Sequence, residues 1–358
     1  MPGFDYGNAR VRAMRSRLLS RREMELLAEA GTLKGFIAGL TKTAYRKAIE
    51  AALAHASGME SISQALREDL SDTLGVVRHF YSEEAEENVA LVLLAYDIQN
   101  LKAILRGLSR NVSARDILIA LIPIGMIDYR ALSDLAHAPH ARAAVDLLAS
   151  MGLPLAQPLI ELRIELPGAD VSRMELTLDQ WLFRQAGKFL KETSQQKSVL
   201  SSAFDLEADL INLLTVLRFV HAPHERKLLQ EWLGKEDLEL AFVGPGKIAF
   251  TTLLQAGSQD TLEAAVTSLA ETPYGPYLRA GMESFTRSGR LSDLEKQLRY
   301  FRLIWLSQQI ARDPLGIGVV LGYFALKVNE IGNLRWIAQG INLGLDSKAI
   351  RSELALLS

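Results

Sequence analysis

The chain has 358 residues, with 40 basic and 42 acidic side chains, a formal net charge of −2, 49% hydrophobic residues and no cysteine. That length is enough for two or three modest domains, each with its own core. The near-neutral balance argues against nucleic acid as the main partner, and the missing cysteines exclude disulfides and thiolate chemistry.

The N-terminal segment carries Arg10, Arg12, Arg15, Arg17, Arg21 and Arg22, interleaved with Ala13, Met14, Leu18 and Leu19 and followed by Glu23 and Glu25. This pattern predicts an amphipathic helix with a basic outer face suited to an acidic protein surface. Met1 to Asn8 leads into it without an apolar h-region, so no signal peptide is expected. The acidic run Glu83, Glu84, Glu86 and Glu87 follows Tyr81-Ser82 and reads as a helix start, where carboxylates meet the positive end of the helix dipole.

A phrase then appears that recurs twice more. Asp97-x-x-Asn100-Leu101, Asp209-x-x-Asn212-Leu213 and Glu330-x-x-Asn333-Leu334 start 112 and 121 residues apart, in a chain with eight asparagines. The first two extend to Leu105-Arg106 and Leu217-Arg218; the third keeps only the earlier Arg335. Self-similarity at a long period means one structural unit used three times. The text upstream agrees in part. Leu26 to Ala30, Phe36 to Leu40 and Thr43-Ala44-Tyr45 precede the first copy, and Leu253 to Ala256, Leu262 to Leu269 and Thr272-Pro273-Tyr274 the third. The middle unit has Leu132 to Ala136 and Val145 to Ala149 but no Thr-x-Tyr.

Around the first copy, Leu91, Leu94, Ile98, Leu101, Leu105 and Leu108 draw one apolar stripe at helical spacing. Asp97 and Asn100 share a face beside it, able to bond to each other, to backbone or to a neighbouring helix. The expected role of the acid and amide in each copy is a buried polar clasp that fixes how helices meet; partner contact is the alternative.

Ala, Leu, Glu, Arg and Lys dominate the long windows, which predicts an all-α fold; the one alternating, strand-like stretch is Pro158 to Pro167. The most apolar runs, Ile117 to Ile127 and Leu315 to Leu326, fall short of a membrane span and read as core helices. Breaks at Ser109 to Ser113, at Ala222-Pro223-His224, and at Gly234 with Gly244-Pro245-Gly246 divide the chain into helical bundles over 1–113, 114–230 and 231–358. Further breaks at Met151 to Pro158 and Pro167 to Asp170 predict an irregular insertion in the middle unit, and Lys191 to Ser202 reads as a loop.

Chemical motifs fail on inspection. Gly244-Pro245-Gly246-Lys247 lacks the leading glycine and trailing Ser or Thr of a phosphate loop, and Gly316, Gly318 and Gly322 are spaced too widely for a dinucleotide fingerprint and suit close helix packing. His137-Ala138-Pro139-His140 and His221-Ala222-Pro223-His224 could pair imidazoles on zinc only if the fold brought them together, and each proline breaks the turn that would align its pair. No catalytic constellation, cofactor site or metal site is predicted. A helical protein that holds other proteins is the bottom-up reading, with an α-helical enzyme using the His137 and His221 regions as the other class.

Three segments go further: Tyr6-Gly7-Asn8-Ala9-Arg10-Val11-Arg12-Ala13-Met14; Ala95-Tyr96-Asp97-Ile98-Gln99-Asn100-Leu101-Lys102; and Tyr323-x-x-x-Lys327-x-x-Glu330-Ile331-x-Asn333-Leu334-Arg335-x-Ile337. Together, from about Tyr6 to about Leu345, the chain resembles the C subunit of archaeal and bacterial V/A-type rotary ATPases, which is similar to the d subunit of the eukaryotic vacuolar proton pump. The resemblance implies three similar helical bundles in a pseudo-threefold funnel. It implies a non-catalytic, cofactor-free central-stalk subunit, one copy in a hetero-complex, peripheral on the cytoplasmic face of the membrane. Its partners would be the central-stalk subunits and the membrane rotor ring, with Arg10, Arg12, Arg15 and Arg17 as candidate contacts. A free-standing helical scaffold remains the alternative.

Overall fold

A computed structural model describes residues 3–166, 168–195, 197–224, 227 and 241–357. Among these residues the fold is all-helical, with no strand. The helices are α1 (Asp5–Arg15), α2 (Arg21–Ala28), α3 (Leu33–Leu40), α4 (Arg46–Leu53), α5 (Met59–Leu74), α6 (Glu83–Ser109), α7 (Ala114–Ala120), α8 (Tyr129–Ala136), α9 (Ala141–Ser150), α10 (Gln157–Glu165), α11 (Val171–Glu192) and α12 (Val199–His221). They continue with α13 (Phe250–Gly257), α14 (Leu262–Ser268), α15 (Gly275–Ser288), α16 (Ser292–Arg312), α17 (Gly318–Asn342) and α18 (Ser347–Ser352).

The order of lengths repeats. Two short helices, a third short or medium one and a long one lead into α6, α12 and α17, which carry the three copies of the acid-x-x-Asn-Leu phrase. Their starts are written in side chains that cap the first turn: Ser20 before α2, Ser113 before α7, Asp128 before α8, Asp170 before α11, Thr261 before α14 and Asp346 before α18. Ser20 and Glu23 complete a capping box. The described residues form two compact units, 1–160 with 306–358, and 161–305.

In the first unit the core gathers on α5, α6 and α17, where Leu66, Leu70, Leu74, Leu93 and Leu334 are fully buried. Gly322 lets α17 approach the end of α16: a Cβ there would lie 2.4 Å from Ile310 Cγ1 and 2.9 Å from the Leu306 carbonyl oxygen. In the second unit Leu213 and Leu217 of α12 are buried, as are Leu253 of α13, Leu278 of α15 and Leu294 of α16.

Two expectations change. The alternating stretch at Pro158 to Pro167 is helical as far as Glu165, as α10, and its buried Leu159 and Leu162 follow at helical spacing from Leu155 just before it, while Ile164 is 75% exposed. Pro158 sits in the first turn, where its missing N–H is no loss. The Ile117 to Ile127 run is a helix only as far as Ala120; beyond it the backbone is extended, because α6 side chains take up its polar groups, as described below. Among the described residues α6 is the one helix long and apolar enough to cross a membrane by length and composition, and 67% of its most apolar window is buried inside the protein, as in a core helix. Gly234 and the 230/231 boundary lie outside the described residues, as does Pro167.

Candidate functional site

The three acid–asparagine pairs face three backbone segments. On α6, Asn100 Nδ2 donates to the Ile122 carbonyl oxygen at 2.7 Å and Asn100 Oδ1 accepts from the Ile122 N–H at 2.8 Å. One turn earlier, Asp97 Oδ2 accepts from the Met126 N–H (2.8 Å) and Oδ1 from the Ile127 N–H (3.2 Å). On α12, Asn212 donates to the Gly244 carbonyl oxygen and accepts from the Val243 N–H, both at 3.0 Å. Asp209 accepts from the Lys247 and Ile248 N–H groups at 3.1 and 3.0 Å. On α17, Asn333 donates to the Ala355 carbonyl oxygen and accepts from its N–H, both at 3.1 Å, and Glu330 accepts from the Leu19 N–H. All six side chains are buried. They bond to backbone, not to each other: the asparagine imitates a strand partner, and the carboxylate collects amides that would otherwise be orphaned.

Close approach demands glycine in two of these segments. A Cβ on Gly125 would stand 1.9 Å from Asp97 Oδ1, and one on Gly246 would stand 2.1 Å from Asp209 Oδ1. The Gly-Pro-Gly-Lys sequence is thus shaped around a carboxylate of its own protein. Glu330, one methylene longer than an aspartate, meets a segment with Arg17 at the corresponding place.

Tyrosines complete two clasps. The Tyr274 hydroxyl donates to Asp209 Oδ2 at 2.9 Å, and the Tyr45 hydroxyl donates to Glu330 Oε1 at 2.6 Å. The Thr-x-Tyr that precedes one copy of the phrase therefore serves the acid of another copy. Thr43 and Thr272 hold these turns by donating to the Leu40 and Leu269 carbonyl oxygens, both at 2.7 Å. Burial and the facing carboxylates push both phenols well above their ordinary range. Asp97 has no such hydroxyl, in keeping with the missing Thr-x-Tyr of the middle unit. Burial raises its carboxyl to about 6, against the pull of its two amide bonds and of Arg78. Asp209 is raised too, first by burial, with its amides, Tyr274 and Lys247 opposing.

Among the described residues, the third clasp is the one with a buried cation paired to its acid. Lys327 Nζ lies 2.7 Å from Asp69 Oδ2 and 3.2 Å from Glu330 Oε1, and donates to the Tyr45 hydroxyl at 2.8 Å. Its attraction to two carboxylates offsets the cost of taking a charge out of water. Asp69 and Gly125 escape sequence reasoning, which names Lys327 and Gly246 only as parts of motifs and not for these roles; the tyrosines are visible there as a repeat, but which acid each serves is not. Arg335 donates to the Leu121 carbonyl oxygen at 3.4 Å, and its burial together with nearby Arg67 lowers it to about 10, whereas Arg218 is half exposed, 3.2 Å from Glu295.

The N-terminal arginines are all exposed. Arg10 lies 4.2 Å over the Phe80 ring and donates to the Tyr6 hydroxyl at 2.7 Å, and Arg12 donates to the Pro314 carbonyl oxygen. Arg15 closes α1, where a cation suits the helix dipole; Arg17 follows in the link to α2. Asn8 anchors the buried side of α1 by donating to the Gly316 carbonyl oxygen and accepting from the Tyr81 hydroxyl. The first histidine repeat serves local turns: His140 caps α9 by accepting from the Ala143 N–H, and His137 Nδ1 lies 2.8 Å from the Ser133 carbonyl oxygen; in the second, the His221 ring lies 5.6 Å from that of Phe285.

A family profile described as the ATP synthase (C/AC39) subunit matches residues 7–353, a span holding all three phrases and the arginine helix. The chain belongs to that family. Among its relatives are the C subunit of the A-type ATP synthase of Methanocaldococcus jannaschii, 24% identical over 99% of this chain and 86% of the relative, and that of Methanosarcina barkeri, 27% identical over 99% and 93%. The C subunit of the V-type ATP synthase of Deinococcus radiodurans is 24% identical over 98% of this chain and 90% of its own length. These relatives are thus similar to this chain over nearly its whole length.

Proposed function

We propose that this protein is a non-catalytic central-stalk component of a V/A-type rotary ATPase, joining the soluble shaft to the membrane rotor ring so that ATP turnover is linked to proton or sodium transport. The family match across 7–353 carries the proposal. In this reading the divisions 1–113, 114–230 and 231–358 are three related bundles around a pseudo-threefold funnel that seats the shaft. One copy works in each complex, peripheral on the cytoplasmic face of the membrane. The protein needs no cofactor; its task is to pass torque without yielding.

The clasps support this task. A coupling element must resist shear between its helices, and close-packed cores tied by fully satisfied buried polar groups are stiff. Each acid–asparagine pair pins backbone against a long helix at two points one turn apart, in the first two clasps from a single connecting segment. Of the candidate contacts, Arg10 and Arg12 are held in place by α1's own surroundings, and Arg15 and Arg17 extend the same basic face toward an acidic partner.

The test is omission from a reconstituted complex in vesicles. Without the chain, ATP hydrolysis by the soluble head is expected to continue while ATP-driven ion uptake stops, and adding the chain back restores uptake. Undiminished uptake in its absence would refute the coupling role.

A further inference from the structure

The third clasp differs from the others in a further respect: its backbone partners come from two places in the sequence. In the first, a single connection supplies them all, Ile122 to Asn100 and Met126 with Ile127 to Asp97. In the second a single connection again does so, from Val243 to Ile248. In the third, Ala355 serves Asn333 while Leu19, more than three hundred residues away, serves Glu330.

The correspondence extends beyond the bonds. Ile122 lies 22 residues after Asn100, and Ala355 lies 22 after Asn333. Between them, both stretches end the long helix with a Val112 or Leu345 N–H donating back to the Gly107 or Gly340 carbonyl oxygen, at 2.9 Å in each case. Each passes a residue of positive φ, Asn111 (54°) or Gly344 (72°). Each then forms a short helix, α7 or α18, whose Ile117 or Ile350 would be 2.5 or 2.7 Å from a Cβ on Gly107 or Gly340. Leu19 in turn matches Ile127 and Ile248, since each stands one residue before an N-cap, at Ser20, Asp128 and Ala249. The helix α1 (Asp5–Arg15) has no counterpart in this scheme.

We propose that residues 347–355 and Leu19 are the two halves of a split connection, a two-piece latch on α17 that stays shut only when both halves are seated. Glu330 and Asn333 are three residues apart on one face of α17, so the half at Ala355 shields the carboxylate that binds Leu19. Withdrawing that half admits water beside Glu330, and its bond to the Leu19 amide then competes with solvent. Lys327, Asp69 and Tyr45 close the other side of this carboxylate, which leaves the Ala355 side as its opening. Since Leu19 ends the link from α1, the C-terminal segment thereby controls how firmly the basic helix is tethered to α17.

Hydrogen exchange of the full chain, followed by mass spectrometry, tests this. Ala355→Pro removes the amide that donates to Asn333, whereas Ala355→Gly keeps it. The proline variant is expected to speed exchange at least tenfold in peptides covering residues 17–22 while peptides covering 123–128 and 245–249 keep their wild-type rates; the glycine variant should leave all three near wild type. If Ala355→Pro does not fold, Asn333→Asp, which retains the acceptor for the Ala355 amide and loses one of the two donors to its carbonyl while Asn329 Nδ2 keeps its bond at 2.8 Å, should give the same pattern in weaker form. Unchanged protection around Leu19, or acceleration spread evenly over all three clasps, overturns the latch.

Discussion

Replacing Asn212 by leucine isolates what an asparagine contributes to one clasp. The two side chains are similar in volume, so packing changes little, but the Val243 N–H and the Gly244 carbonyl lose the partner they share. Asn212 is fully buried and Val243 5% exposed, so water does not readily replace it. An unsatisfied buried backbone group costs about 1–3 kcal/mol, which puts the loss at about 3 kcal/mol for the pair after relaxation. For a unit of this size each kcal/mol moves the midpoint by about 2–4 °C, so thermal unfolding of the 161–305 unit should begin about 6–12 °C lower. Differential scanning calorimetry of the whole chain reads this directly, with far-UV circular dichroism at 20 °C to show that the variant is folded. A midpoint within about 1 °C of wild type, with stalk binding also unchanged, would refute the clasp role.

Further outcomes follow from the same geometry. Gly246→Ala drives a methyl into Asp209 Oδ1 and should destabilise the same unit by at least as much as Asn212→Leu, whereas Gly332→Ala, with open space at its Cβ, should be neutral or slightly stabilising; urea midpoints distinguish them. Tyr274→Phe removes one donor from Asp209, costing about 1–2 kcal/mol and raising the Asp209 carboxyl further; the corresponding titration is followed by carboxyl-resolved NMR. Asp97 should titrate near pH 6 rather than near 3.8. Because its folded-state value is raised, its contribution to stability is full below the ordinary carboxyl value and is lost as pH rises through about 6, up to about 3 kcal/mol in all, and Asp97→Asn should abolish that slope between about pH 4 and 6.

The parts of this account that the sequence displays are those governed by local rules. The apolar stripe of α6 and the capping residues Ser20, Asp128 and Asp346 announce their helices because spacing and side-chain reach act within a few residues. The acid-x-x-Asn phrase is visible as a repeat because a side chain that must bind backbone at one distance tolerates few substitutes. What it binds is not visible, since Ile122, Gly244 and Ala355 are chosen by tertiary approach. The extended segment after Ala120 is masked by its own apolar residues, which belong to the core without being helical. Breaks at Met151 to Pro158 and Pro167 to Asp170 predict an insertion in the middle unit, and the copies start 112 and then 121 residues apart; yet Ile127 to Asp209 and Ile248 to Glu330 are both 82 residues apart. The extra nine residues lie between Asn212 and Val243, which are 31 apart where Asn100 and Ile122 are 22. Counting from the clasps locates a difference that counting from the phrases does not.

Native mass spectrometry of this chain mixed with the two central-stalk proteins of the same source addresses the coupling reading most directly. The account predicts a one-to-one-to-one complex that weakens when Arg15 and Arg17 are both replaced by glutamate. A chain that stays monomeric beside an intact stalk pair would contradict it and favour a free-standing scaffold.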